Sequence, residues 1–237
     1  EVALGCIEGP FILFNKVNDF LIQMKRPPMF KVQLVGIDLS EQRYHQLFTV
    51  KPDISISKLA HTDLIIIPAV NGDMEQVITT NHAFLPWITK QFQGGAELAS
   101  LCVGAFILAA TGLVDGKRCS THWGAAHDFK KMFPKVNLVS EKIITDEQGI
   151  YSSGGANSFW NLLLYLVEKF VGREMAIFMS KYYEIEIDRE SQSPFIIFNT
   201  QKDHGDETII KAQAFIENNF NSKITVDALA SMHALGR

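Results

Sequence analysis

Cysteine is scarce in this sequence, and the few cysteines form no recognisable pair. The 237 residues contain three, Cys6, Cys102 and Cys119, which are widely spaced and include no CxxC motif. Domains held together by disulfides carry an even and denser set. The cysteine content therefore excludes a disulfide scaffold and favours a reduced, cytoplasmic protein.

Long apolar runs and a strong net charge are also missing. The longest strongly apolar run, from Phe159 to Val167, contains Asn161 and falls far short of the ~18 residues that a membrane span needs. We also expect no secretion signal, because the residues that follow Glu1 form neither the basic nor the apolar region of one. We therefore expect no membrane partner. A net charge of −4 argues against a broad nucleic-acid-binding face, although a small basic module can lie within an acidic chain.

What is present is typical of a globular protein. Hydrophobic residues make up 47% and charged residues 20% of the chain, which excludes a disordered or fibrous class. The length is sufficient for one full domain with a smaller appendage.

Short apolar segments alternate with helical patterns through most of the chain. Asp63 to Ala69 and Glu97 to Leu101 are apolar almost throughout, as strands buried on both faces must be. The segments between such strands are long enough for helical crossovers, which join parallel strands. The sequence therefore predicts an α/β fold with a largely parallel sheet flanked by helices. The predicted strands are 30–37, 63–69, 97–101, 136–139, 142–145 and 150–153, and the predicted helices are 9–24 (with Pro10 in the first turn), 74–93, 104 onward, 121–133, 158–170 and 173–182.

The regular alternation stops after Tyr183. We predict a first domain over residues 1–185, a linker over 186–205 and a helical segment over 206–237. Asp206 and Thr225 can each cap a helix, and two short helices cannot bury a core alone. This end is therefore either the opening of a small helical domain or a simple C-terminal helical hairpin.

Cys102 lies where a buried strand meets a helix. Ser100 and Gly104, two residues before and after it, are small, as a sharp turn that presents a side chain above a parallel sheet requires. The sulfur would sit at the carboxyl ends of the strands, near a helix N-terminus that favours the thiolate. His122 could act as its base. Alternatively, Cys102 is a small buried side chain and His122 a capping or core histidine.

The segment SSGGAN, from Ser152 to Asn157, precedes a helix. Its amides at Gly154 and Gly155 could bind an anion or carboxylate, although a turn that caps the helix is the simpler interpretation. His122 and His127 are spaced i, i+5, off the register of a helical metal pair, and no carboxylate lies between them. We assign no metal and no cofactor.

The stretch SLCVGAFILAATGLVDGKRCSTHW resembles the signature of the ThiJ/PfpI domain, which has a class I glutamine amidotransferase-like, flavodoxin-like fold. The resemblance is to the form found at the front of the GlxA-like group of AraC-type transcriptional regulators. EGPFILFNKVND resembles the first helix of that domain, DLIIIPA its third strand and SSGGANSFWNLLLYLVEKFVGREMA its closing loop and helices. ETIIKAQAFIENNFNSKITVDALASMHALGR resembles the start of the AraC-type helix-turn-helix module.

The resemblance implies a site around Cys102, but two of its usual parts differ. Catalytic relatives carry an acidic residue where this chain has Cys6, and Glu8 lies on a different face. The segment Val70-Asn71-Gly72 lacks the adjacent glycine pair whose amides often stabilise an oxyanion. Hydrolysis is therefore doubtful, and Cys6 is expected near Cys102, as packing, a disulfide or a two-thiol sensor. The expected ligand-binding residues are Cys6, Glu8, Gly72, Cys102, Val103, His122, Gly154 and Gly155.

The resemblance further implies a ligand-responsive, dimeric transcriptional regulator that binds DNA. The alternatives are a cysteine-dependent hydrolase or amidase that uses Cys102 and His122, and a purely structural dimerisation module. The recognition helix would start near Gly236, so no DNA-reading residue is assigned within this chain. We expect the sequence to be truncated at both ends.

Overall fold

The structure, a computed structural model, describes residues 2–44, 47–196 and 206–232. The chain divides into two compact units, residues 1–195 and 196–237. Among the described helices, none combines the length and apolar character needed to cross a membrane.

Unit 1 is built on a four-stranded, mostly parallel sheet. The described strands of the unit are β1 (Val35–Gly36), β2 (Gln42–Tyr44), β3 (Phe48–Val50), β4 (Ile54–Ser55), β5 (Leu64–Ile67), β6 (Glu97–Ser100), β7 (Arg118–Cys119), β8 (Asn137–Leu138), β9 (Ile144–Asp146) and β10 (Ile150–Ser153). Four of them form the main sheet in the order β5-β6-β10-β9, in which β5, β6 and β10 are parallel and β9 is antiparallel at the edge. Smaller two-stranded pairs join β1 to β4, β2 to β3 and β7 to β8.

Helices cover both faces of this sheet. They are α1 (Gly5–Gln23), α2 (Met74–Thr80), α3 (Phe84–Gln93), α4 (Ala105–Ala110), α5 (Ala126–Met132), α6 (Ser158–Val171) and α7 (Arg173–Tyr182), with 3₁₀ turns at Cys102–Gly104, Trp123–Ala125 and Ser193–Phe195. Leu98 of β6 packs into the apolar cluster formed with α3, α4 and α5, whereas its neighbour Ala99 packs into the cluster formed with α1, α6 and α7. This alternation follows the two-residue period of a strand. The predicted α/β fold, with a largely parallel sheet between helical layers, is confirmed.

Some predicted boundaries were wrong. α1 begins at Gly5, so Pro10 lies inside the helix and not in its first turn. Proline lacks the N–H that would bond to the carbonyl four residues earlier, which here belongs to Cys6. The predicted strand over residues 30–37 joins a ladder only at Val35–Gly36. The helix predicted over 74–93 is two helices, because Asn81 caps the end of α2 through its side-chain bond to the carbonyl of Val77.

The helix predicted over 121–133 starts later. A 3₁₀ turn occupies Trp123–Ala125, and the α-helix begins at Ala126. Residues 186–195, which form the first half of the predicted linker, belong to unit 1 in the structure, and Gln192 within them is 1% exposed. The remainder of that linker, 197–205, lies outside the described residues.

Unit 2 is described from Asp206 to Met232 and contains α8 (Glu207–Asn218) and α9 (Val226–Met232). Oδ1 of Asp206 accepts hydrogen bonds from the N–H groups of Thr208 and Ile209, at 3.0 and 3.1 Å. Oγ1 of Thr225 accepts one from the N–H of Ala228 at 3.2 Å. Both predicted N-caps are thus present. The predicted start of a recognition helix near Gly236 lies outside the described residues.

Candidate functional site

Cys102 occupies a sharp turn between a strand and a helix, as predicted. β6 ends at Ser100, and the 3₁₀ turn begins at Cys102 itself, which has a φ of +54°. A non-glycine residue rarely adopts this left-handed conformation, and such strain is typical of turns that expose a nucleophile above a sheet. The N–H of Cys102 donates to Oγ of Ser153 on β10 at 3.2 Å, which ties the turn to the carboxyl end of the sheet.

Gly104 has no room for a side chain. A Cβ at this position would lie 2.6 Å from the carbonyl oxygen of Ile67 and 2.7 Å from that of Pro68. Both contacts are with main-chain atoms, which cannot rotate away. The small residue that the sequence places after Cys102 therefore lets the turn pack directly against the end of β5.

The thiol of Cys102 is buried and neutral. It is 7% exposed, and burial raises its pKa to about 11, an effect only partly opposed by a hydrogen bond from the main chain of Val103. The sequence places the sulfur near a helix N-terminus, which favours the thiolate. Removal of the thiol from water outweighs the hydrogen bond from Val103, so the net effect on the pKa is upward.

Cys6 lies in the same apolar cluster as Cys102, in the first turn of α1. The two are close enough for the Cys6 sulfur to contribute to the raised pKa of Cys102. Burial also raises the pKa of Cys6, although a main-chain hydrogen bond from Ala69 opposes this. Cys6, Cys102 and Cys119 are all free thiols. The expected proximity of Cys6 to Cys102 is thus found, in reduced and unbonded form.

His122 is near the turn but is not joined to the thiol. Its Nδ1 accepts a hydrogen bond from the N–H of Gly124 at 3.0 Å, so the ring caps the short 3₁₀ turn that follows. Burial lowers the pKa of His122. Its neighbour Thr121 makes the link to the elbow, because Oγ1 of Thr121 donates to the carbonyl of Cys102 at 3.1 Å. Within the described part of the chain, no hydrogen bond connects His122 to the Cys102 sulfur.

Glu8 and Gly72, which the resemblance placed at this site, make no hydrogen bond to the Cys102 sulfur among the described residues. Cys6 is buried while Glu8 is exposed, because residues two apart on a helix point in nearly opposite directions. Gly72 has a φ of +125° and lies in the turn that leads to α2.

The two glycines of SSGGAN have their amides occupied by the protein itself. The N–H of Gly154 donates to the carbonyl of Ile143 at 2.8 Å, and the N–H of Gly155 donates to Oε1 of Gln192 at 2.7 Å. Neither amide is available for an anion, which agrees with the simpler interpretation of a turn. A Cβ on Gly154 would lie 2.6 Å from Nε2 of Gln192.

Gln192 is the residue of this site that the sequence did not indicate. Its amide also donates to the carbonyls of Thr121 and Ser140, at 2.9 and 2.6 Å. The surrounding segment has no helical or strand period, so no pattern marks one glutamine as buried. Gln192 therefore joins the glycine loop, through Gly155, to the segment that carries His122, through Thr121.

Around the turn, Cys102 has a left-handed backbone and a neutral thiol, His122 caps the 3₁₀ turn that follows it, and the amides of Gly154 and Gly155 are bonded within the protein. A nucleophile needs an ionised sulfur or an adjacent base, and neither is in place around Cys102. In residues 2–44, 47–196 and 206–232, no group of three or more His, Cys, Asp or Glu side chains is placed to hold a metal ion.

Relatives of this chain include both regulators and an enzyme. It is 24% identical over 182 residues to the HTH-type transcriptional regulator GbdR of Pseudomonas aeruginosa, covering 76% of this chain and 48% of the relative. It is 29% identical over 89 residues to the HTH-type transcriptional regulator GlxA of Rhizobium meliloti, covering 38% and 27%. It is 25% identical over 190 residues to an isonitrile hydratase of Pseudomonas putida, covering 78% and 79%. The chain thus spans less than half the length of these two regulators.

Solved structures share the fold. A ThiJ/PfpI family protein from Pseudomonas syringae matches with a TM-score of 0.64 at 14% identity, covering 99% of this chain and 87% of that one. An AraC family transcriptional regulator from Pseudomonas putida matches with a TM-score of 0.58 at 16% identity, covering 77% and 94%. The sequence resemblance to ThiJ/PfpI domains of regulators is therefore confirmed. Residues 22–169 match the family described as the DJ-1/PfpI family, and the chain belongs to it.

Proposed function

We propose that this chain is the sensor domain of a DNA-binding transcriptional regulator, together with the beginning of its reading module. The observation that carries the proposal is the similarity to HTH-type regulators over 182 residues. In the proposed protein, unit 1 binds a small effector and mediates homodimerisation, and the regulator acts in the cytoplasm.

The two helices of unit 2 support the assignment of an AraC-type helix-turn-helix module. Ile209 and Ile216 on α8 are 43% and 42% exposed, and Phe220 just after it is 75% exposed. Apolar side chains on one helix face are normally covered by neighbouring helices. The exposed row on α8 is therefore suited to packing against further helices of a larger all-α module.

The proposed mechanism is a population shift. An effector that binds one conformation of unit 1 more tightly favours that conformation, and the change reaches DNA through the segment that joins the units. The segment 186–195 supports this role because it packs in unit 1 and leads directly to unit 2.

The test is chromatin immunoprecipitation of the natural gene product that contains this chain. We expect enrichment of discrete genomic sites, lost when the protein is cut before Glu207 and retained in Cys102→Ala. Absence of discrete sites for the intact gene product would overturn the proposal. Sedimentation of the 26.6 kDa chain tests the dimer, for which twice this mass is expected.

A cysteine-dependent hydrolase or amidase is the second candidate. It is favoured by the left-handed turn at Cys102 and by the similarity to an isonitrile hydratase. The test is turnover of p-nitrophenyl acetate and of a simple alkyl isonitrile by the chain, with Cys102→Ala and His122→Ala as variants. Turnover that both substitutions abolish would establish the enzyme. Rates equal to those of the variants would exclude it.

A further inference from the structure

A cavity of about 350 Å³ lies beside the SSGGAN loop and apart from Cys102. The first turn of α6 forms one side of it, with Asn157, Trp160 and Asn161. The segment that follows α7 forms the other, from Tyr183 to Glu186 together with Arg189. The volume is in the range of small-molecule sites.

Arg189 brings an unsatisfied donor to this cavity. Its Nε is shielded from solvent and has no hydrogen-bond acceptor among the described residues. Its Nη2 donates to Oγ of Ser158 at 3.3 Å, and its Cζ lies 4.9 Å from the ring centre of Phe195, so the guanidinium is held in place. A buried donor without a partner is costly, so an acceptor supplied by a ligand at this position would be favourable.

Arg189 lies beside a second source of positive charge. Ser158 is the first residue of α6, so the guanidinium lies at the amino end of a 14-residue helix, where the main-chain N–H groups carry partial positive charge. The side chain of Asn157 makes no capping hydrogen bond to these groups. The N–H groups of Ser158 and Trp160 already donate to the carbonyls of Gly155 and Asn157, at 2.7 and 3.3 Å. A carboxylate here would therefore bond mainly to Arg189 and be favoured by the partial positive charge of the helix end.

The nearby acids do not supply that negative charge. Glu184 and Glu186 line the cavity, yet no carboxylate of the described residues forms an ion pair with Arg189. Together with Arg189 they give the lining a formal charge of about −1. This net negative charge disfavours anions in general and multiply charged ones, such as phosphate esters or dicarboxylates, most strongly. A ligand anion therefore has to be singly charged and to bond directly to Arg189.

The remaining wall is aromatic. Trp160 stacks on Tyr183 with ring centres 5.6 Å apart and an angle of 28° between the planes, and it also stacks on Phe159 at 5.1 Å. These rings form a rigid apolar surface, which suits the hydrocarbon body of a ligand.

We infer that this cavity binds a small monocarboxylate with an apolar or aromatic body, its carboxylate on Arg189 and the amino end of α6. The inference deepens the sensor role proposed above and rests on it. The cavity wall from Tyr183 to Arg189 continues to Gln192, so an occupant would contact the segment that leads to unit 2.

The experiment is titration of the ¹⁵N-labelled chain with phenylacetate and with L-phenylalanine, observed at the arginine Nε–H resonances. 2-Phenylethylamine and phenyl phosphate serve as comparison probes, since one lacks a carboxylate and the other carries a dianion. We expect a carboxylate-dependent, saturable shift of the Arg189 resonance. Arg189→Gln should weaken binding at least about tenfold. The matched control is Arg173→Gln, whose guanidinium pairs with Glu168 at 3.0 Å on the surface.

Either of two results would overturn the site: no saturable binding of either carboxylate up to tens of millimolar, or binding that Arg189→Gln leaves unchanged. Equal binding of phenyl phosphate or 2-phenylethylamine would overturn the ligand class. Because binding is measured without DNA, its success together with an absence of genomic sites would refute the regulator and leave the site standing. Discrete genomic sites without carboxylate binding would refute the site and leave the regulator standing.

Discussion

Oε1 of Gln192 accepts a hydrogen bond from the main-chain N–H of Gly155 at 2.7 Å. The same side chain donates from Nε2 to the carbonyls of Thr121 and Ser140. A single amide that is 1% exposed thereby joins the segment leading out of unit 1 to the loop before α6 and to the segment that carries His122. Because its three hydrogen bonds join segments that are distant in sequence, Gln192 is a suitable place to test how unit 1 is held together.

Gln192→Ala is expected to destabilise unit 1 by about 2–4 kcal/mol, because it leaves a buried N–H and buried carbonyls without partners. The measurement is urea unfolding followed by tryptophan fluorescence, which reports on unit 1 alone because all three tryptophans, Trp87, Trp123 and Trp160, lie in it. The control is Gln23→Ala at an exposed position of α1, where little change is expected. Equal stability of the two variants would contradict the bridging role.

Gly104→Ala is expected to cost more than about 2 kcal/mol, since the added methyl group would overlap the carbonyl oxygens of Ile67 and Pro68. Gly5→Ala in α1 is the matched control. A Cβ there meets nothing within 4 Å, so the substitution should be neutral or stabilising by up to about 1 kcal/mol. The same fluorescence-detected unfolding distinguishes them. A tolerated Gly104→Ala would show that the turn at Cys102 has more freedom than these contacts allow.

The sequence predicted the centre of the fold better than its margins. β5 and β6 were found because strands buried on both faces are nearly continuous apolar runs. The ladder at Val35–Gly36 was overestimated because β-branched composition does not say how far a partner strand extends. The sequence predicted the start of α1 four residues too late, because Pro10 is typical of a first helical turn. In the structure the helix begins before Pro10, at Gly5, where Cys6 and Gly9 are buried in the core.

The sequence predicted where Cys102 lies in the fold but not whether its thiol is ionised. The small residues around Cys102 specify a sharp turn, and this is local information. The protonation of the thiol depends on burial by α1 and α6, which lie far away in the sequence. The bond between Gln192 and Gly155 spans 37 positions and follows no period, so pattern reasoning could not find it.

Cys102 is expected to react slowly with iodoacetamide near neutral pH. With a pKa of about 11, about one thiol in a thousand or fewer is ionised at pH 7.5, and only the thiolate attacks. The measurement is mass-spectrometric labelling of a variant that retains Cys102 and carries Cys6→Ala and Cys119→Ala. The rate should rise about tenfold per pH unit up to about pH 10 and should increase greatly in urea. Fast labelling of the folded protein at pH 7 would instead support the enzyme.

His122 is expected to weaken the fold as the solution becomes acidic. Burial lowers its pKa, and Nδ1 must stay unprotonated to accept from the N–H of Gly124. The unfolded state therefore binds a proton more readily, so the contribution of His122 to stability is present above the ordinary pKa of ~6.5 and is lost as the pH falls through the folded-state pKa.

His122→Asn keeps a cap acceptor but does not titrate, and it should lose less stability than the natural chain in unfolding experiments between pH 8 and pH 5. His82→Asn is the control, because the exposed ring of His82 lies in the turn after α2 and hydrogen-bonds to the carbonyl of Thr79. If the natural chain and His122→Asn lost stability in parallel over this range, the buried, cap-forming state of His122 would be refuted.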